Sequence, residues 1–219
     1  LSPPLPATLI AGFGSAAKAP VIEALLRHKP VDEQWALIAP AGLLGVPRVQ
    51  GAPGLVVQTV APGCPCCTGL TPFSAGLVAL LRRLRDTAVT RLLIEGGAEG
   101  HIATIRQLLA KPELSPHVAL AHATAVINPE WLEQGEGSAA HAALMELAGS
   151  ADSLIAHPWE NAEPMQPTQS SNNTAADFGQ WAASFAPPRP WAPLSGGALP
   201  AQFAQLLLPP RVPVGGGAA

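Results

Sequence analysis

Charge is what this chain is short of. Only 12% of its 219 residues are Asp, Glu, Lys or Arg, about half the share of an average soluble domain, so the surface must lean on Ala, Pro, Gly, Ser and Gln. The net charge is −3. No basic block stands ready to neutralise a phosphate backbone, which argues against nucleic acid as a partner. Long apolar runs are missing too. None approaches the roughly 18–20 residues that a membrane span requires, so no membrane partner is expected. The opening LSPPLPATLIAGFG has no positively charged start ahead of a long apolar stretch and is not read as a signal peptide. Cysteine is scarce: there are three, all inside Cys64-Pro65-Cys66-Cys67. An odd number packed into four residues cannot be a disulfide framework. The expectation is a reducing cytoplasm and a local thiol site.

What is there has the length for one domain with a proper core and alternates apolar strands with helices in a parallel α/β rhythm. Strands are expected at Ala7–Ala11, Trp35–Ala39, Leu55–Val60, Arg91–Glu95, Val118–Ile127 and Asp152–Ala156. Helices are expected near Pro20–His28 and at Ser74–Asp86, His101–Ala110 and Ser138–Ala148. In the second of these, Leu77, Leu80, Leu81 and Leu84 face inward and Arg82, Arg83 and Arg85 outward. After Glu160 the composition turns to Pro, Gln, Ser and Asn, with a helix expected at Ala175–Ala186. Pro187–Gly197 and Leu208–Ala219 are dominated by Pro and Gly and cannot bury enough apolar surface to order themselves independently. Ala201–Leu208 has the pattern of a turn or two of helix that docks back. The division expected is a main domain over 1–160, its remaining helix within 161–186, and a Pro/Gly-rich tail over 187–219.

Two segments carry chemistry. The first strand runs into Gly12-Phe13-Gly14-Ser15-Ala16-Ala17-Lys18-Ala19-Pro20. A Gly-rich strand-to-helix turn presents backbone N–H groups and a helix N-terminus to phosphate, and a Lys can reach the terminal phosphates. The same turn occurs in many α/β proteins, where a Lys at a helix start is simply solvated. The second is Gly63-Cys64-Pro65-Cys66-Cys67-Thr68. Thiolates bind Zn²⁺ and other soft or borderline divalent metals strongly, and Pro65, Gly63 and Gly69 would hold their loop in a fixed turn. Three thiolates leave a tetrahedral ion one ligand short. His101 and His157, at the functional edge of such a sheet, are candidates for the fourth place. His28, His117, His122 and His141 show no metal spacing.

The first segment resembles the Walker A motif and, more narrowly, the "TGFLGAGKTT" of the CobW/HypB/UreG family of GTPases and metallochaperones. The second resembles the G-C-x-C-C-[TS] signature of the family's CobW branch. Further landmarks follow in family order. Ile38 to Pro47 is similar to "VNEFGEIGID", with Gly42 and Gly45 matching. Leu92 to Ala98 is similar to "IIIETTG", with Glu95 kept. Ala151 to Glu160 stands where "ADRIVLNKTD" belongs, with Asp152 matching and Glu160 in place of the final acid. The resemblance covers Ala7 to Glu160. It implies a P-loop NTPase-like α/β fold, a mostly parallel sheet with helices on both faces. It also implies a metal site at Cys64, Cys66 and Cys67, nucleotide contacts at Gly12, Gly14, Lys18 and Glu160, and Glu95 as a catalytic candidate.

The departures point to eroded nucleotide machinery. Ala17 replaces a Gly, and Ala19 replaces the hydroxyl that should hold Mg²⁺. Leu43 and Pro47 stand where acidic residues belong, and His157-Pro158-Trp159-Glu160 replaces the guanine-reading N-K-x-D. Phosphoryl transfer depends on that ion and on positioning, so hydrolysis should fall sharply. The expectation is a zinc-binding (or similar divalent) metallochaperone or metal-allocation factor that binds GTP or GDP with Mg²⁺ weakly. Its partners would be a metal ion and a client metalloprotein or an active family member. A weakly active GTPase and a scaffold for a true family member are the alternatives. A thiol-redox role ranks lower, since the C-x-x-C spacing is absent.

Overall fold

The computed structural model describes residues 3–13, 15–40, 51–61, 69–96, 102–133, 139–157 and 174–208. Seven strands, β1 (Leu5–Gly12), β2 (Gln34–Pro40), β3 (Leu55–Val60), β4 (Val89–Glu95), β5 (Val118–Ile127), β6 (Ser153–Ala156) and β7 (Trp191–Pro193), form one sheet in the order β3-β2-β4-β1-β5-β6-β7. Every pairing is parallel. Among the described residues six α-helices accompany it: α1 (Ser15–Arg27), α2 (Leu70–Leu84), α3 (Ile102–Leu109), α4 (Ala139–Ser150), α5 (Thr174–Ala183) and α6 (Ala201–Leu207). No helix of the described residues is long and apolar enough to cross a membrane.

Strand side chains alternate between the two faces, and the core divides accordingly. Leu9, Ile38, Ile94, Ala125 and Leu154 join Leu77 and Leu80 of α2, Ile105 of α3, Leu144 of α4 and Phe178 of α5 on one face. Ile10, Leu37, Leu93, Val126 and Ile155 join Val21, Ile22 and Leu25 of α1 and Phe203 and Leu207 of α6 on the other. A sheet covered on both faces needs strands that are apolar almost throughout. The buried runs of β1, β2 and β4 meet that demand.

The expected strands Leu55–Val60 and Val118–Ile127 appear with those bounds. Three differences have physical causes. Helix α1 starts at Ser15 rather than near Pro20, and Pro20 lies inside it. The proline forfeits one i→i−4 bond, but Ala17, Val21, Ile22, Ala24 and Leu25 pack on the sheet across it. Helix α2 starts at Leu70 rather than Ser74, because Pro72 falls in its first turn, where a missing N–H costs nothing. The segment read as a Pro/Gly-rich tail contributes a strand, β7, beside the helix expected at Ala201–Leu208, α6. Strand β7 pairs with β6 through Leu154↔Trp191 to Ala156↔Pro193. Trp191 packs on Phe178 with ring centroids 5.1 Å apart. In α6, Phe203, Ala204 and Leu207 are buried, and Thr8 Oγ1 donates to the Leu207 carbonyl at 2.6 Å. Neither element could order itself alone; each orders against a sheet that is already built.

Candidate functional site

In an all-parallel sheet every strand's C-terminal end lies at one edge. Here β1 is also where the order reverses, since the chain first moves toward β3 and later toward β7. Ligands in such folds bind in the crevice outside that switch point. The residue there is Gly12, whose register partner on β5 is Val126. A Cβ at Gly12 would stand 2.9 Å from the Val126 carbonyl oxygen, so only glycine lets β1 end this close to β5. Gly96, just past β4, donates its N–H to the Ile10 carbonyl at 2.8 Å, and a Cβ there would meet Ala11 Cα at 3.3 Å.

Lys18 rises from α1 back toward this edge. Its Nζ donates to the Gly12 carbonyl at 3.1 Å and lies 3.7 Å from Glu95 Oε1, an ion-pair distance, with both side chains fully buried. The solvated alternative for Lys18 is therefore not what the fold adopts. Glu95 is the last residue of β4, level with Ile10, and neither carboxylate oxygen has a hydrogen-bond partner among the described residues. Burial lowers Lys18 from 10.5 to about 8, against the opposing pull of the Glu95 charge. Burial likewise raises Glu95, opposed by Lys18. A pair this deep is held by geometry more than by net attraction: its mutual Coulomb gain is offset by desolvation, whereas removing one partner alone costs about 3–5 kcal/mol.

On the β5–β6 side, Asn128 is buried and its Oδ1 accepts from the Glu130 N–H at 3.1 Å. Trp131, in the short helical turn after β5, packs against Phe13 with centroids 5.6 Å apart. This aromatic contact fastens the beginning of the Gly-rich turn, and sequence spacing gave no hint of it. His157 follows β6 and donates its backbone N–H to Ile127 at 2.9 Å. Burial lowers its imidazole's pKa, which favours the neutral form that metals bind. Asp152 sits at the other end of β6. Both its carboxylate oxygens accept from Arg106 Nη2 at 2.8 Å, and Oδ2 also accepts from the Ala123 N–H at 2.7 Å. That matched residue fastens α3 to the sheet, at the opposite end of β6 from the edge that carries Gly12, Lys18 and Glu95.

On the far side, Val60 ends β3 in register with Pro40, and α2 begins at Leu70. Cys64, Cys66 and Cys67 fall between them and lie outside the described residues, as do Gly14, His101 and Glu160. The C-terminal end of β3 lies at the sheet edge that carries Gly12, Lys18 and Glu95, three inter-strand steps from β1, about 14 Å. Among the described residues no three His, Cys, Asp or Glu side chains converge as a metal site.

The sequence model of the CobW/HypB/UreG nucleotide-binding domain matches residues 6–178. This chain belongs to that family. The zinc chaperone YeiR of Escherichia coli (strain K12) is 32% identical over 158 residues, which are 71% of this chain and 47% of YeiR. The chain therefore spans about half the length of that curated relative. Zn(II)-bound YjiA GTPase from E. coli superposes with a TM-score of 0.60 at 15% identity, covering 94% of this chain and 62% of YjiA. Nickel-bound HypB from Helicobacter pylori gives 0.50 at 10% identity, covering 85% of this chain and 77% of HypB. At those identities the structural likenesses establish the fold, a CobW-type P-loop sheet. The Mg²⁺ half of the family's site does not fit, because Ala19 offers no oxygen where a hydroxyl ligand is expected.

Proposed function

We propose that this chain is the metal-carrying P-loop domain of a zinc-allocating CobW-type protein, with Zn²⁺ (or a similar divalent ion) as cargo on Cys64, Cys66 and Cys67. What supports the reading is the sequence Gly63-Cys64-Pro65-Cys66-Cys67-Thr68, which in chain order follows β3, ending at Val60, and precedes α2, starting at Leu70. The kinship with YeiR, a zinc chaperone, supports zinc as the ion. Three thiolates hold Zn²⁺ tightly and leave one tetrahedral position for water, for His101 or His157, or for an incoming ligand. A client metalloprotein's thiolate or imidazole entering there could draw the ion away by ligand exchange. Loading deprotonates the thiols and is favoured as pH rises.

Nucleotide is assigned a subordinate part. Gly12, Gly14 and Lys18 would contact phosphate, and Glu160 the base. With Ala19 and Leu43 in place of oxygen ligands, hydrolysis is expected to be slow or absent. Titration of Zn²⁺ into reduced protein against a chromophoric competitor tests the metal reading. One tight site in the native chain, lost when all three cysteines become serine, is the expected result. Equal uptake by that variant would sink it. Calorimetric titration of GTP, GDP and ATP into the same protein tests the nucleotide reading, with micromolar GTP or GDP binding as the outcome that would restore a GTPase role.

A further inference from the structure

We propose that Glu95 is an internal stopper on the nucleotide site: it serves as the anion of Lys18 when no phosphate is present, and nucleotide binds only by displacing it. The inference rests on the nucleotide reading of Gly12, Gly14 and Lys18.

Lys18 is not held outward. Its ammonium is turned back onto the sheet, donating to the Gly12 carbonyl at 3.1 Å and standing 3.7 Å from Glu95 Oε1, with no exposed surface on either side chain. To reach a phosphate it must leave both. The carboxylate left behind has no hydrogen-bond partner among the described residues, and a buried charge stripped of its counterion is strongly disfavoured. The flanking strands bring no relief, because β1 and β2 present Ile10 and Ala39 on that face. From α1, Lys18 is the titratable group that faces Glu95. A hydroxyl at position 19 would help to seat a divalent cation nearby; Ala19 does not. Among the described residues, what is left to quiet Glu95 is its own protonation. Nucleotide binding should therefore draw one proton from solvent onto the Glu95 carboxylate as Lys18 transfers its charge to phosphate. Burial, which already raises Glu95, acts in the same direction.

The test is calorimetry with GDP on the native chain, Glu95→Gln and Lys18→Met/Glu95→Gln, each checked for folding by circular dichroism. Removing the competing charge should tighten GDP binding at least ten-fold in Glu95→Gln, and the added Lys18→Met should abolish that gain. For the native chain, titration at pH 7.5 in two buffers of different ionisation heat should reveal net proton uptake. Should Glu95→Gln not fold, the native proton count decides alone. Binding by Glu95→Gln equal to or weaker than native, or no proton uptake, would overturn the stopper while leaving the nucleotide site standing. No GDP binding by any of the three would overturn both. Zinc uptake measured on the same samples reports separately on the metal reading.

Discussion

Gly76, in the middle of α2, rests directly on Val60, the last residue of β3: a Cβ added at Gly76 would overlap Val60 Cγ1. Glycine inside a helix ordinarily costs about 1 kcal/mol relative to alanine. Here it is what lets α2 lie close against the strand that leads into the cysteine segment. Gly76→Ala should gain that 1 kcal/mol in helix propensity and lose about 1–3 kcal/mol to overpacking, a net destabilisation of roughly 1 kcal/mol in urea unfolding. Val60→Ala in the same chain should recover part of the loss. If Gly76→Ala is more stable than native, the close approach is not tight.

The buried pair of Lys18 and Glu95 gives stability an unusual pH profile. Folded Lys18 releases its proton at about 8, against 10.5 for the unfolded chain. Between those values the unfolded state holds more protons, so stability rises with pH. Glu95 works the other way at lower pH. Its folded value lies above 4.5, so the stability tied to its proton is lost as pH climbs through that folded value. Between pH 7.5 and 9.5 the native chain should gain about 2 kcal/mol relative to Lys18→Met/Glu95→Leu. Parallel urea curves for the two proteins at both pH values would show the pair to be irrelevant.

Asp152 matches a family landmark, yet its contacts are structural. Asp152→Ala would strand the Ala123 N–H and release Arg106. With both charged side chains 39% exposed, the ion pair itself contributes little. The loss should be about 1–2 kcal/mol, mainly from the backbone bond. Zinc stoichiometry should be unaffected. A lowered zinc stoichiometry in a well-folded Asp152→Ala protein would place this residue in the site after all.

Metal removal should also be legible in melting temperature. A ligand that binds only the folded state stabilises by about 2.7 kcal/mol at a free concentration one hundred times its dissociation constant. Adding Zn²⁺ should raise the native melting temperature by several degrees, and a chelator should reverse the shift. Cys64→Ser/Cys66→Ser/Cys67→Ser should show neither response.

Much of this fold could be read from residues. The run LVVQTV has no helical rival because it is short and β-branched, VALAHATAVI shows only a weak alternation, and the bounds of both are those observed. Strand β7 was illegible: three residues, Trp191–Pro193, carry no period, and they become a strand only because Phe178 and β6 wait for them. The P-loop segment was visible as a motif, but the orientation of Lys18 was not. Whether a lysine at a helix start meets water or a carboxylate depends on β4, seventy-odd residues further along. Gly76 was silent for a related reason, since the sequence shows a missing side chain but not the neighbour that forbids one.

The central position of β1 has a consequence for biosynthesis. It leaves the ribosome well before its partners β4 and β5, with Leu5 pairing Val118. At about 5–20 residues per second, the chain needs on the order of ten seconds to supply both. Through that interval an apolar strand destined for the centre of the sheet has neither neighbour, which makes the nascent chain a natural client for protection against aggregation.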